Sequence, residues 1–217
     1  MALPTTAPST AAQPAGGSWQ ELARRHYENF PVGSWLLPAR ARRHLHRIYA
    51  FARIADDLAD ERRDGPALAV YRADFLRHVE GAATDVPLFT ELAATIRECR
   101  LEVALFTDLL DAFAEDCVRT RYDRPGLLDY CRRSANPIGR LVLRVHGHRD
   151  PESDRLSDRI CTALQLLNHL QDLGSDLRER DRIYFPGEDL ARFQVADADL
   201  RAATAGPGVR ALVRDQA

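Results

Sequence analysis

The chain contains no lysine. All 30 of its basic side chains are arginine, set against 32 acidic ones, for a formal net charge of −2 over 217 residues. That balance lacks the broad positive field of a non-specific nucleic-acid binder, and no nucleic-acid partner is expected. Cysteine is scarce: Cys99, Cys117, Cys131 and Cys161 are the four present, and no pair has CxxC spacing. Reduced, buried thiols of a cytoplasmic protein are the plain reading, with zinc or a disulfide as alternatives. No stretch approaches the roughly 18 apolar residues that cross a bilayer. The first 17 residues are Ala, Pro, Thr, Ser and Gly-rich, with neither a basic start nor an apolar run, so they do not read as a secretory signal. Strand alternation is nearly absent. Ser34 lies in no nucleophile elbow, and no G-x-G-x-x-G follows a strand.

Helical periodicity fills the space left by those absences. The length allows one sizeable domain, expected over 18–217 behind a disordered tail at 1–17. Ser18 and Glu21 form a capping box before a first helix that Pro31 and Gly33 end. A second helix is predicted from Pro38 to Glu61, a third from Pro66, a fourth from Pro87, a fifth over 101–121 and a sixth from Pro125 to His146. The seventh and longest is predicted from Pro151 to Arg182, with short helical pieces after it. Ile183-Tyr184-Phe185 is too short a strand signal to change an all-α class. His44 and His46, at an arginine-rich helix start, are expected at the surface. The final residues read as a helix just beginning, as in a fragment.

Two polar stripes stand out on this frame. In the second helix, Tyr49, Arg53, Asp56 and Asp60 fall within about 40° of one line at 100° per residue, with Asp57 beside them. Asp56 and Asp60 are four apart, where like charges repel, so a positive group is expected between them. In the seventh helix, Gln165, Asn168, Asp172 and Asp176 form a second stripe. Leu164, Leu166, Leu167, Leu170 and Leu173 nearly surround it, which predicts a helix inside the domain. Polar groups on a buried helix must be paired or bound to something. These donors are all oxygens, which favours a hard cation, Mg²⁺, held as a small cluster with diphosphate completing its shell. Departure of diphosphate leaves a carbocation that aromatic faces such as Phe30, Tyr49 and Tyr130 would stabilise. Taken alone, the first stripe reads as a solvated face; the second stripe is what makes a site of the pair.

With these residues in view, the chain resembles the squalene/phytoene synthase family, the head-to-head trans-isoprenyl diphosphate synthases. Three blocks carry the resemblance: 29–38 (NFPVGSWLLP), 48–60 (IYAFARIADDLAD), and 165–176 (QLLNHLQDLGSD) with 182–185 (RIYF). It implies a single-domain isoprenoid synthase helical bundle around a central cavity, with C-terminal helices missing here. It further implies metal binding by Asp56, Asp57, Asp60, Asn168, Asp172 and Asp176, and substrate contacts from Arg53, Gln165, Arg182 and Tyr184. Tyr49 and Tyr130 would line the reaction centre. Three departures are visible. His26-Tyr-Glu-Asn29 stands where the family has a serine-rich stretch before the Phe30 position, which puts His26, Asn29 and Phe30 at the substrate. Gln171 replaces a basic residue. Ser134-Ala-Asn136-Pro-Ile-Gly139 carries a helix-kinking Pro137, and Asn136 there is either a packing feature or a polar lining that places water. These departures resemble the bacterial hydroxysqualene synthases of hopanoid synthesis, which implies presqualene diphosphate as substrate and water capture of its cation. Condensation of two farnesyl diphosphates is the alternative, and a noncatalytic scaffold of the same fold a second. Peripheral membrane association and contact with other enzymes of the squalene pathway are compatible with the resemblance.

Overall fold

The computed structural model describes residues 37–60, 64–83 and 85–216, apart from the Asp60 side chain. The expected first helix, with His26, Asn29 and Phe30, lies outside the described residues, as does the tail. The described chain is helical almost throughout and forms two compact units, one ending at Glu98 and the other starting at Cys99.

The first unit holds α1 (Ala39–Asp60), α2 (Gly65–Val79) and α3 (Pro87–Cys99). Pro66 sits in the first turn of α2, and the Asp64 carboxylate caps it by accepting from the Ala67 N–H at 2.9 Å. Phe51, Phe75, Phe89 and Tyr71 form an aromatic core with ring centroids 4.7 to 6.0 Å apart. The Tyr71 hydroxyl donates to the Phe51 carbonyl. His44 corrects the surface expectation. It is only 4% exposed, and its Nδ1 lies 3.0 Å from Thr95 Oγ1. The reason is periodic: position 44 shares the inward stripe of Ala41, Leu45, Ile48 and Phe51, and a helix face decides burial before local charge does.

The second unit runs α4 (Val103–Asp116), β1 (Arg121–Tyr122), α5 (Arg124–Ser134), α6 (Asn136–Val145), α7 (Pro151–Ser175), a π-helical turn (Asp176–Arg180), β2 (Ile183–Pro186), α8 (Gly187–Arg192), α9 (Asp197–Leu200) and α10 (Pro207–Gln216). Asp123 and Asp150 cap α5 and α7 as Asp64 caps α2, each beside a proline. Three expectations are corrected here. The fifth helix stops at Asp116, because Arg121–Tyr122 pairs in parallel with β2. The sixth is two helices broken at Ala135, since Pro137 has no N–H to continue the ladder. The seventh helix has no fully buried residue, and Leu164 and Leu167 are 55% and 45% exposed. Its leucines split between two faces: Leu166, Leu170 and Leu173 pack on the unit's cores, and Leu164 and Leu167 point the other way. The four cysteines are free thiols, but only Cys131 is fully buried.

Candidate functional site

The acidic end of α1 is organised by arginine. Arg53 reaches forward one turn, its guanidinium 3.2 Å from Asp56 and 2.7 Å from Asp57. It supplies the positive charge that adjacent carboxylates on one helix require. Both acids remain partly exposed, with 33% and 24% of their side-chain surface open. Tyr49, one turn back, is half-buried; burial raises its hydroxyl pKa, with Arg53 working in the opposite sense. Asp60 closes the helix, its side chain undescribed.

On α7, helical spacing sets Gln165, Asn168, Asp172 and Asp176 along one face. Asp172 is exposed and Asn168 half-buried. Asp176 opens the π-helical turn, a feature frequent at functional sites. Its carboxylate lies 3.2 Å from Arg180, and its carbonyl accepts from the Arg182 N–H. Asp181 ends the turn in the left-handed region at φ 52°, a short-range reversal that swings the chain into β2.

Behind this face lies a buried network the sequence reading did not assemble. Asp116, at the end of α4, accepts from the Tyr130 hydroxyl at 2.7 Å and from the Tyr184 hydroxyl at 3.0 Å. Arg182, 3% exposed, donates to the Asp116 carbonyl at 2.7 Å and to the Tyr184 oxygen at 3.0 Å. Burial, and then the Asp116 charge, raise the Tyr130 and Tyr184 hydroxyls far above the usual phenol range. Tyr122 stacks on Tyr184, with centroids 5.2 Å apart. His169 lies flat on Tyr184, with centroids 3.7 Å apart and planes 5° from parallel, and its Nε2 is 3.0 Å from Gln165 Nε2. Burial, with Arg182 adding to it, pushes the His169 imidazole down to about 3, so it is neutral near pH 7. Although the residue as a whole is partly exposed, its Nδ1 is sealed from solvent.

The structure therefore brings Gln165, Tyr130, Arg182 and Tyr184 together through Asp116 and His169. The side chains of Tyr130, Arg182 and Tyr184 are engaged inside the fold. Asn136 lies apart from them at the start of α6, where its Oδ1 accepts from the Thr162 hydroxyl at 3.0 Å and ties α6 to α7. Asp116 and His169 had one legible signal each. His169 stands four residues after Gln165 on the polar stripe, and Asp116 closes an apolar helix on its buried side. The donor set on α7 suits Mg²⁺, which takes one or two protein carboxylates and completes its shell with water and phosphate. Among the described residues, no three His, Cys, Asp or Glu side chains already converge as a closed metal cage. No described helix is long and apolar enough to cross a membrane.

The family model for squalene/phytoene synthase matches residues 23–217. A hydroxysqualene synthase of Rhodopseudomonas palustris is 38% identical over 80% of this chain and 61% of its own length. A phytoene synthase of Thermus thermophilus is 33% identical over 90% of this chain and 68% of its own. The crystal structure of squalene synthase HpnC from Alicyclobacillus acidocaldarius superposes with a TM-score of 0.80 at 42% identity, covering 91% of this chain and 77% of that one. The chain thus spans about six tenths of the length of the first hydroxysqualene synthase it matches. A matched family model over nearly all of the sequence and relatives at these identities place the chain in the squalene/phytoene synthase family.

Proposed function

We propose that the chain carries the catalytic face of a Mg²⁺-dependent enzyme that converts presqualene diphosphate to hydroxysqualene. The single observation that carries this reading is the α7 face, where Gln165, Asn168, Asp172 and Asp176 stand in line with an open Asp172 carboxylate. Hydroxysqualene synthases at 37–38% identity support this substrate over others. Asn168, Asp172 and Asp176 would hold Mg²⁺, as would Asp56, Asp57 and Asp60. When bound, the metal supplies charge neutralisation for a departing diphosphate. Arg53 and Gln165 bind phosphate oxygens, an arginine fork being suited to two of them at once. Tyr49 presents an aromatic face to the cation left behind. Tyr130, Arg182 and Tyr184 hold the wall behind Gln165 rather than reaching the ligand, and Asn136 fixes the α6 start near the polar stripe.

A second reading is head-to-head condensation of two farnesyl diphosphates; the phytoene synthase relatives at about 30–33% identity favour condensation as the reaction class, without fixing the prenyl chain length. Product analysis by mass spectrometry separates the two. Presqualene diphosphate offered with Mg²⁺ and no reductant should give hydroxysqualene, and Asp172→Asn should slow that turnover by about a hundredfold or more, in the range of losing a charge-stabilising group. Turnover of farnesyl diphosphate alone would replace the first reading with the second.

A further inference from the structure

We infer that His169 is a positioning residue for Gln165: it holds the side-chain amide so that its NH₂ group is turned to the polar face of α7, where it donates to a phosphate oxygen of a bound diphosphate. The ligand half of this inference rests on the diphosphate reading above. The clamp itself rests on geometry.

His169 follows Gln165 by one helical turn, and Nε2 of its ring lies 3.0 Å from the end of the Gln165 amide. The ring cannot turn freely. It is stacked on Tyr184 at 3.7 Å and flanked by Tyr130 with centroids 5.9 Å apart. Tyr184 is in turn pinned by Asp116 and Arg182. The plane of the imidazole is thereby fixed from β2 and, through Asp116, from α4, an element remote in sequence from α7.

An imidazole carries a proton on at least one of its two ring nitrogens. Nδ1 is sealed from solvent and, among the described residues, has no hydrogen-bond partner. A proton there would be a buried donor without an acceptor, the rarest kind of orphan in folded proteins. A proton on Nε2 leaves only a bare lone pair at Nδ1, and Nε2–H then donates to the Gln165 amide. An amide can accept only through its oxygen, and oxygen and nitrogen occupy equivalent places at the end of the side chain. With its oxygen held by His169, Gln165 presents NH₂ outward. An unheld glutamine would present either end, and its carbonyl would repel a phosphate. The simple alternative is that residue 169 is an aromatic spacer that stacks on Tyr184 and nothing more.

The full chain, labelled with ¹⁵N, tests both halves. Imidazole nitrogen shifts, assigned by the signals missing from His169→Phe, should show the proton on Nε2; a proton on Nδ1 overturns the clamp. Binding of inorganic pyrophosphate with Mg²⁺ is then measured by calorimetry. His169→Phe keeps the stacked ring and should leave the melting temperature nearly unchanged, yet weaken pyrophosphate about tenfold, the size of one hydrogen bond to a charged group. Gln165→Ala should weaken it by a similar factor, and the double variant no further than Gln165→Ala alone. Parent-like binding by His169→Phe, or effects that multiply, would leave only the spacer. If the parent chain binds no pyrophosphate, the diphosphate reading falls and takes the ligand half with it. The nitrogen shifts still decide the clamp.

Discussion

Asp116 is the side chain on which the most other functional geometry depends. It ends an apolar helix, is nearly inaccessible, and accepts from two tyrosines that come from α5 and β2. Arg182 lies 3.5 Å from the same carboxylate and also donates to its backbone carbonyl. A buried ion pair is weak evidence of net stabilisation, but removing one partner leaves the other charge uncompensated. Asp116→Ala is therefore expected to cost about 3–5 kcal/mol. Tyr184→Phe keeps the ring and both charges but removes a hydroxyl bonded to each of them, and should cost less, about 1.5–3 kcal/mol. Urea unfolding of the two variants checks the contrast. Equal, small losses would mean that Arg182 finds water when Asp116 is gone, and that the network is not the closed structure it looks.

At the scale of elements, α7 is held in place by how closely α6 packs against its N-terminal half. Gly139 faces Ser157 and Cys161 so tightly that an added methyl would run into Ser157 Oγ and Cys161 Sγ. Gly139→Val should then destabilise the chain by roughly 1–3 kcal/mol, the usual cost of overpacking. Cys161→Ala in the same chain should return part of that loss, and a thermal melt of single and double variants reads it out. No rescue would mean that the cost lies in the valine backbone preference rather than in the crossing. The same elements show what could be foreseen. Helix starts were legible because aspartate or proline marks them, as at Asp64, Asp123 and Asp150. The stripe of Gln165, Asn168, Asp172 and Asp176 was legible because helical spacing alone aligns it. The buried or exposed state of α7 was not, since leucines on two faces say nothing about which face finds a partner. The β1–β2 pair was invisible for a related reason: two residues of strand carry no period, and their pairing joins positions about 60 apart. Asp116 belongs with it, because a carboxylate at a helix end is as common in solvent as in a network until Tyr130 and Tyr184 are brought to it.

For the molecule as a whole, charge is nearly balanced in number but not in arrangement. Among the described residues, most arginines are matched to a nearby acid, often within one helical turn, as Arg53 is to Asp56 and Asp57. Among the described residues Asp172 makes no ion pair, and it lies on the face proposed above to hold the metal. A ligand that binds only the folded chain raises its stability by mass action, about 2.7 kcal/mol at a hundred times its dissociation constant. Mg²⁺ and inorganic pyrophosphate together should therefore raise the melting temperature by several degrees. Pyrophosphate alone should not, because it adds negative charge beside carboxylates without the cation that neutralises both. A chelator added after the pair should return the melt to its starting point, and Asp172→Asn should lose most of the gain while melting normally without ligand. This separates a working diphosphate site from a scaffold that has kept only the fold. A scaffold gives the same melt with and without the pair, whereas a site whose carboxylates await a hard cation cannot.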